Sequence, residues 1–377
     1  MAAVSLQRVS KQFGAVHAVR DLTLDIQDRE FFVLLGATGA GKSTTLRCIA
    51  GLEQPQTGDI LIAGERVNDW SAAQRDVALV FQQYSLYPNY TVRENLAFPL
   101  KSKLRNFTAQ QIEERVAKAA STVRIAHLLD RRTDKLSGGE MQRVSIGRAI
   151  VREPRVFLMD EPLSNLDAKL RELLRAELKG LQQRLGTTLV FVTHDQVEAM
   201  TMGDRIGLVN KGELVQVGTP HQIYNTPKNT FVASFVGTPA INLLEVQVDL
   251  AQGRAQNAAL SFALEPAAMA RLAPLLPADG KVCLGIRPED VSLVASGGLP
   301  GAISGAIYGA ENHGAEIIAV VEAGGHRFRA TVPAKTPTAL NQPVQIAFMQ
   351  HKMHYFHPRS GENLSAPPSH PSHPPHR

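Results

Sequence analysis

The sequence predicts an α/β protein with a parallel core sheet, followed by a small all-β domain. Three features of its 377 residues lead to this fold class. Short continuous apolar segments alternate with segments of helical periodicity through about residue 235, which is typical of buried parallel strands joined by crossover helices. A glycine-rich loop separates one such strand from the helix that follows it. Beyond residue 235, short alternating segments divided by Gly and Pro indicate a β-barrel or sandwich.

The individual elements follow from hydrophobic periodicity. Near the N-terminus, Leu22, Leu24 and Ile26 alternate on one face and predict a strand of an antiparallel sheet. Continuous apolar segments predict buried strands at FFVLL (31–35), RVFLMD (155–160) and TTLVFVTH (187–194), and VALVF (77–81) is a further apolar run. Predicted helices occupy STTLRCIAGL (43–52), a segment from Thr108 to about residue 126, and a leucine stripe from 170 to 185.

Composition bounds the functional class. An apolar fraction of 44% supports a real core, and the net charge of +5 comes from interspersed residues without the basic cluster of a nucleic-acid site. Cys48 and Cys283 are far apart and lack metal-ligand spacing, which fits a reducing cytoplasm. The first ten residues, MAAVSLQRVS, lack a signal-peptide pattern, and no apolar run approaches the roughly 18 residues of a membrane span. We therefore expect a protein that serves a membrane, if at all, from outside it.

The segment GATGAGKS (36–43) has the pattern of a P-loop and lies between a predicted strand and a predicted helix. Glycines let the backbone wrap phosphates, Lys42 reaches the β/γ oxygens, and the Ser43 hydroxyl suits Mg²⁺. The alternative is a chance glycine-rich turn. The strand–loop–helix context favours a P-loop NTPase.

Two adjacent carboxylates end the strand 155–160. In MDEP (159–162), Asp160 suits a Mg²⁺ role through water, and Glu161 suits a general base over the attacking water. An exposed acidic turn is the alternative, which the neighbouring P-loop and the second buried strand disfavour.

Three further residues each have two possible roles. His194 ends a buried strand and is either a core histidine or a γ-phosphate contact at the carboxyl edge of the sheet. Gln82 follows VALVF and would reach the same edge, or is a surface glutamine. Phe13, before Gly14, either stacks on a base or belongs to the core.

A second candidate anion site opens the segment KLSGGEMQRVSIGRAI (135–150). Ser137 and the two glycines after it begin a helix, so that backbone N–H groups and the helix dipole face outward. The sequence around it does not show which phosphate this second site would bind.

The motifs together resemble a known family. The P-loop, Gln82, LSGGE (136–140), MDEP, SNLD (164–167) and VTHD (192–195) occur in this order. The set resembles the nucleotide-binding subunit of ATP-binding cassette (ABC) transporters over residues 1–235. The segments 218–245 and GIRPED (285–290) extend the similarity to import ATPases of the maltose/maltodextrin and glycerol-3-phosphate type.

The resemblance implies a fold and a domain organisation. It implies an ABC cassette (1–235) with a parallel core sheet, an antiparallel β subdomain and a helical subdomain. A C-terminal OB-like β regulatory domain (236–364) would follow, and then a disordered tail (365–377).

The resemblance also implies site residues. It assigns ATP binding to Phe13, Gly36, Ala37, Thr38, Gly39, Ala40, Gly41, Lys42, Ser43 and Thr44. It assigns catalysis to Glu161, His194 and Gln82, and Mg²⁺ binding to Ser43, Gln82 and Asp160. Contacts in trans to a partner cassette's ATP fall to Ser137, Gly138, Gly139 and Asp167, so LSGGE would bind the γ-phosphate held by another chain.

Some positions depart from the family pattern. Phe13 replaces a residue that is more often Tyr or Trp, and Glu140 stands where Gln is common. Within the P-loop, Ala37, Thr38 and Ala40 replace residues that are often Pro, Ser and Cys. The P-loop glycines and Lys42 are intact.

The implied partners are a second, identical or related, cassette and two transmembrane permease subunits, with a solute-binding protein outside the cell. The implied location is the cytoplasmic side of the inner membrane. The aromatic segment 83–100 would dock the membrane subunit through Tyr84, Leu86, Tyr87 and Pro88, unless it is simply a packed loop. The expected substrate is a sugar, polyol or sugar phosphate; the alternatives are a polyamine, sulfate or ferric iron, or a soluble ABC ATPase acting on nucleic acid or the ribosome. No nucleic-acid partner is expected.

Overall fold

A computed structural model describes residues 2–102, 106–164, 166–295 and 302–365. Its contacts group the chain into two compact units that divide between Pro220 and His221. The predicted disordered tail lies outside the described residues except for Ser365.

The first unit contains ten strands and six α-helices among the described residues. Its strands are β1 (Val4–Phe13), β2 (Val16–Ile26), β3 (Phe31–Leu35), β4 (Thr57–Ile62), β5 (Glu65–Arg66), β6 (Val77–Val80), β7 (Val156–Asp160), β8 (Thr188–Thr193), β9 (Arg205–Asn210) and β10 (Glu213–Gly218). Its helices are α1 (Lys42–Ala50), α2 (Val92–Ala97), α3 (Ala109–Thr122), α4 (Gly138–Ile150), α5 (Ala168–Leu185) and α6 (Gln196–Met202).

The strands of the first unit form two sheets. The core sheet has the order β10-β9-β3-β8-β7-β6, and the five strands from β9 to β6 are parallel, whereas β10 joins β9 as an antiparallel edge. The second sheet, β2-β1-β4-β5, is antiparallel. Both predictions of sheet type are therefore confirmed, and all three predicted buried strands lie in the core sheet, where the apolar run VALVF supplies β6.

Helix α1 lies in the apolar core of this unit. Leu46, Cys48 and Ile49 belong to one buried cluster with alternate residues of the core strands and with the antiparallel sheet. Cys48 is fully buried. The helix ends at Gly51, whose φ of 76° is the left-handed conformation that glycine adopts most easily.

A buried arginine holds the C-terminal end of α1. The Arg75 side chain is 1% exposed, and its guanidinium donates to the carbonyl oxygens of Cys48 at 2.7 Å and Ile49 at 3.0 Å. It also donates to the carbonyl oxygens of Asn68 and Trp70, each at 3.3 Å. Within the described part of the chain, no carboxylate pairs with it. A cation at this position satisfies terminal carbonyls and complements the helix dipole.

Helices α2, α3 and α4 pack against one another and form a helical subdomain. The capping box predicted at Thr108 and Gln111 is present at the start of α3. Helix α3 ends at Thr122, slightly before the predicted residue 126, because Arg124 takes a φ of 58° that no continuing helix tolerates. Helix α5 ends at Leu185, the last residue of the predicted leucine stripe, and Gly186 caps it.

The second unit is built mainly from antiparallel strands. These are β11 (Asn242–Asp249), β12 (Arg254–Gln256), β13 (Ser261–Ala263), β14 (Lys281–Ile286), β15 (Val291–Ala295), β16 (Ile303–Asn312), β17 (Glu316–Ala323), β18 (His326–Pro333), β19 (Pro343–Phe348) and β20 (His354–Phe356), with helices α7 (Pro220–Asn225), α8 (Thr230–Phe235) and α9 (Pro266–Leu272). They form two five-stranded sheets, β13-β12-β11-β14-β20 and β15-β19-β16-β17-β18, over a shared apolar core. The predicted all-β class of this region is confirmed.

Arg287, in GIRPED, explains why α7 and α8 group with the second unit. Its guanidinium lies 4.0 Å from the centre of the Tyr224 ring and donates to the carbonyl oxygens of Tyr224 and Ala233, each at 2.9 Å. The division of contacts thus falls at 220/221, before the predicted boundary at 235. The boundary of the functional domain stays a prediction.

Candidate functional site

The carboxyl ends of the parallel core strands bring the predicted site residues together. Gly36 follows β3, Gln82 comes shortly after β6, and His194 follows β8. Asp160 is the last residue of β7, and Glu161 comes directly after it. Because these strands are parallel neighbours, the five residues lie along one edge of the sheet.

Two glycines shape the loop 36–43 because the backbone of other segments lies against it. A Cβ on Gly36 would be 2.3 Å from the carbonyl oxygen of Val209. A Cβ on Gly41 would be 2.1 Å from the carbonyl oxygen of Ala18, and the φ of Gly41 is 102°. Ala37, Thr38 and Gly39, at the tip of the loop, are exposed, whereas Ala40 is buried, and Thr44 is half-buried in the first turn of α1. The loop therefore packs tightly against neighbouring backbone at its two ends, while its tip is exposed to solvent.

Lys42 is buried within this loop. Its side chain is 4% exposed, and Nζ donates to the carbonyl oxygens of Gly36 at 2.9 Å and Ala37 at 3.0 Å. Nζ also lies 3.5 Å from Oε1 of Glu161. Burial lowers the pKa of this ammonium, although Glu161 and Asp160 oppose the change. The loop thus holds a desolvated cation at its centre, where a phosphate would be favoured.

Ser43 and Asp160 are hydrogen-bonded across the site. The Ser43 hydroxyl donates to Oδ1 of Asp160 at 2.7 Å. Asp160 is 7% exposed, and burial raises the pKa of its carboxyl, while the Ser43 hydrogen bond opposes the rise. A hydroxyl and a carboxylate, both hard oxygen donors, face each other at the start of α1.

Glu161 lies between Lys42 and His194. One carboxylate oxygen faces Lys42, and the other is 2.9 Å from Nδ1 of His194. The backbone of Glu161 has a φ of 45°, a left-handed conformation that is uncommon outside glycine. The His194 side chain is 50% exposed, so the alternative of a core histidine is excluded.

Gln82 reaches Glu161 through a serine that we did not single out from the sequence. Nε2 of Gln82 donates to the Ser164 hydroxyl at 3.3 Å, and this hydroxyl donates to the carbonyl oxygen of Glu161 at 2.9 Å. Ser164 lies in the quoted SNLD motif, but its neighbours come from distant parts of the sequence. Gln82 is exposed, which fits a surface glutamine. It also lies at the carboxyl edge of the sheet, which fits a role in the site.

Phe13 ends β1 and is 45% exposed, which excludes the alternative that it is a core residue. The Lys11 ammonium lies 4.8 Å from the centre of its ring. Its role in stacking on a base stays a prediction.

LSGGE forms the start of α4 as predicted, but the polar groups of Ser137 and Glu140 already pair with one another. Oε2 of Glu140 accepts from the backbone N–H of Ser137 at 2.8 Å and from its hydroxyl at 2.9 Å, which completes a capping box. The Ser137 amide lowers the pKa of the Glu140 carboxyl. Gly139 is buried, and a Cβ there would be 2.4 Å from Leu170. Asp167 is exposed and caps α5 by accepting from the Leu170 N–H at 2.9 Å.

The segment 83–100 presents aromatic rings at the surface. The Tyr87 ring lies 4.4 Å from that of Phe98 and 5.4 Å from that of Tyr90, measured between centroids. All three side chains are exposed, whereas Tyr84 and Leu86 are half-buried. The Arg148 guanidinium donates to the carbonyl oxygen of Ser85 at 2.7 Å. Arg148 thus anchors the backbone of the segment, while the three aromatic rings remain exposed.

Comparisons with known proteins agree with this geometry. Residues 19–164 match the family described as ABC transporter, and residues 284–356 match the TOBE domain. The chain is 45% identical over 374 residues to the trehalose/maltose import ATP-binding protein MalK of Thermococcus litoralis, covering 97% of this chain and 100% of that protein. It is 41% identical over 402 residues to the trehalose import ATP-binding protein SugC of Mycobacterium tuberculosis, covering 97% of this chain and 99% of that protein.

Solved structures show the same cassette. The dimeric post-hydrolysis structure of the ATP-binding cassette MJ0796 with ADP and Pi is 32% identical and has a TM-score of 0.52, covering 58% of this chain and 98% of that one. The structure of cbiO1 from Clostridium perfringens, part of the ABC transporter complex cbiONQ, is 26% identical with a TM-score of 0.55, covering 58% of this chain and 89% of that one. Taken with the site at the carboxyl edge of the core sheet, these similarities show that the chain belongs to the ABC transporter family, as an ATP-binding and ATP-hydrolysing subunit of the sugar-importer type with a C-terminal TOBE domain.

Proposed function

We propose that this chain drives uptake of a carbohydrate, with trehalose or maltose as the first candidates, by hydrolysing ATP between two head-to-tail cassettes. The observation that carries the ATPase chemistry is the convergence of Lys42, Glu161 and His194 at one sheet edge. The printed names of the relatives, which mention trehalose and maltose, support the substrate class. Polyols and sugar phosphates remain in this class, and polyamine, sulfate and ferric iron are the alternatives.

Each site residue has a role that its position supports. The loop 36–43 wraps the phosphates, and Lys42 replaces its carbonyl partners with β/γ oxygens. Glu161 accepts a proton from the attacking water, and its contact with His194 orients the carboxylate toward the γ-phosphate side. Gln82 helps to position the attacking water and Mg²⁺, and its amide donates to the Ser164 hydroxyl. Phe13 offers a ring face to the adenine.

The residues at the start of α1 fit Mg²⁺. Among the described residues, no group of three or more His, Cys, Asp or Glu side chains forms a complete metal site. Ser43 and Asp160, with Gln82 nearby, provide the partial set of oxygen donors that Mg²⁺ accepts when phosphates and water complete its shell. When bound, Mg²⁺ would neutralise charge on the transferred phosphate.

The second cassette would bring Ser137, Gly138, Gly139 and Asp167 to the γ-phosphate held by this chain. In support, α4 has thirteen residues, and Ser137 and the two glycines after it lie at its N-terminal end. The N-terminal end of a helix is suited to binding an anion. The capping carboxylate of Glu140 lies at the same terminus and would repel a phosphate. We therefore propose that closure of the pair displaces or reorients Glu140.

The membrane partner would bind the exposed ring cluster of Tyr87, Tyr90 and Phe98. Among the described residues, no helix is both long and apolar enough to cross a bilayer. The chain would lie peripherally at the cytoplasmic face, beside two permease subunits that receive solute from an external binding protein. This place accounts for the exposed rings and for the lack of such a helix in the described part of the chain. The lack of a basic cluster disfavours the alternative of a soluble machine for nucleic acid or the ribosome.

The nucleotide chemistry is tested by two substitutions. Lys42→Ala should weaken ATP binding, because it removes the buried cation from the loop. Glu161→Gln should keep ATP binding and lower turnover by about 10²–10⁴-fold, because an amide does not accept the proton. Equilibrium nucleotide binding and steady-state phosphate release measure the two effects. Near-normal turnover in Glu161→Gln would remove Glu161 from the role of general base.

The metal-side carboxylate is predicted to cost stability. Because burial raises the pKa of Asp160, its ionised form is disfavoured in the folded protein. At neutral pH and without nucleotide, Asp160→Asn should therefore raise the free energy of unfolding. The difference should shrink as the pH falls through the raised pKa, where the wild-type carboxyl takes up a proton. Denaturant unfolding at several pH values measures this, and Mg²⁺-dependent hydrolysis should be lost in the same variant. A less stable variant at neutral pH would contradict the prediction.

The action of LSGGE in trans is tested in a Glu161→Gln background, which should accumulate an ATP-bound dimer. Adding Ser137→Arg should leave ATP affinity similar and keep the protein monomeric by light scattering. Adding Glu140→Gln should instead strengthen the dimer, because it removes a negative charge from the start of α4 while keeping a capping side chain. A dimer that persists with Ser137→Arg, or an ATP affinity that collapses in a folded protein, would show that this site does not act in trans.

The membrane-docking surface is tested by Tyr87→Glu. The charge should abolish uptake of labelled trehalose or maltose and assembly with the permease, while basal ATPase of the isolated chain survives. The control is Leu340→Glu, at a side chain that is 69% exposed in the second unit and should leave both activities unchanged. An equal fall in ATPase would instead mean that Tyr87 is part of the packing of the cassette.

A further inference from the structure

Arg171, in the first turns of α5, contacts two loops of the site and has no role in the mechanism described so far. Nη2 donates to the carbonyl oxygens of Leu166 at 3.1 Å and Ser164 at 3.4 Å. Nη1 donates to Oδ2 of Asp195 at 3.4 Å, and Nε lies 3.9 Å from Oε1 of Glu198. One guanidinium therefore touches both the SNLD segment and the segment after β8.

On the SNLD side, Arg171 holds the backbone that carries a hydroxyl relay. The Ser164 hydroxyl receives the Gln82 amide and donates to the Glu161 carbonyl oxygen. Leu166 is buried, and Asp167 after it caps the start of α5. The Arg171 contact to the Leu166 carbonyl thus fixes the residue that precedes the proposed trans-acting Asp167.

On the other side, Arg171 holds the residues that flank His194. Asp195 caps α6, and its backbone N–H donates to the Thr193 hydroxyl at 2.9 Å. That hydroxyl donates to Glu198 at 2.5 Å, and Glu198 is 3% exposed. The backbone of His194 therefore lies between two residues of one hydrogen-bonded network, while its imidazole extends to Glu161.

The charges explain why an arginine occupies this position. Burial raises the pKa of the Glu198 carboxyl, and Asp195 adds to the rise, while Arg171 and Arg175 oppose it. A planar guanidinium offers donors in several directions at once, so it serves two carbonyls and a carboxylate together. A lysine at the same site supplies charge from one point and does not span both loops.

We propose that Arg171 is a positioning residue that couples the SNLD segment to His194, so that the partner cassette at this segment sets the orientation of the catalytic histidine. The inference rests on the proposed function, because it assigns the Ser164–Asp167 side to the dimer seam. A shift of Ser164 and Leu166 toward or away from a partner pulls on the guanidinium, and Asp195 transmits the displacement to the neighbouring His194.

The test compares Arg171→Met with Arg184→Met, which makes the same change near the other end of α5. Arg171→Met should bind ATP like the wild type, because the loop 36–43 is untouched, but its kcat should fall by about 10- to 100-fold, the scale of a misplaced catalytic group. Arg171→Lys should restore little of the rate, because a lysine ammonium does not span both loops. Asp195→Asn, which keeps a capping side chain, should lower kcat in the same direction but less. Arg184→Met should be as active as the wild type.

A double-mutant cycle with His194→Ala separates coupling from general damage. If Arg171 acts through His194, Arg171→Met should cost little further rate once the histidine is absent. Full additivity of the two losses would overturn the proposal, as would a wild-type kcat in folded Arg171→Met. Should Arg171→Met not fold, the same cycle is made with Asp195→Asn. The wild type and Glu161→Gln are assayed alongside: a wild type without ATPase activity refutes the proposed function itself, whereas an active wild type with an additive cycle refutes the role of Arg171 alone.

Discussion

The parallel direction of the core strands is the constraint on which the site depends. The strands of a parallel sheet all end at one edge, so residues that are far apart in sequence meet there without any loop having to fold over them. Gly36, Gln82, Asp160 and His194 each follow or end a different strand of this sheet. A slip of one strand by one residue would move its catalytic group by about 3.3 Å and reverse its side.

The charged groups of the site already pair with one another inside the chain. Lys42 binds two loop carbonyls and faces Glu161, Glu161 contacts His194, and Ser43 bonds Asp160. Burial shifts the pKa of Lys42 down and that of Asp160 up, so both charges are held against their solvation preference. Perturbed groups of this kind are frequent at functional sites. The arrangement keeps each group close to its working position until a polyanion offers better partners.

Local patterns in the sequence predicted much of this molecule, and contacts between distant segments account for the rest. The loop 36–43, the three predicted buried strands and the caps of α3 and α5 follow from residues close together in sequence. Other contacts join segments whose spacing carries no periodic signal. These are the contact of Lys42 with Glu161, the hydrogen bonds of the Ser164 hydroxyl and the contacts of the Arg171 guanidinium. The start of the second compact unit at His221 was also hidden, since the attraction of α7 and α8 to Arg287 depends on a side chain about sixty residues away.

Helix α1 is held differently at its two ends. At its C-terminal end, the four oxygens that surround Arg75 are neutral carbonyls that do not titrate, and the guanidinium stays protonated throughout the range in which proteins fold. Neither moderate acid nor added salt removes such an anchor, because no exposed ion pair is there to be neutralised or screened. The N-terminal end carries Lys42, whose neighbour Glu161 is ionisable. The C-terminal end of α1 is therefore insensitive to moderate acid and salt, whereas its N-terminal end responds to charge. The effect of an arriving phosphate is thus confined to the N-terminal end, where the chemistry takes place.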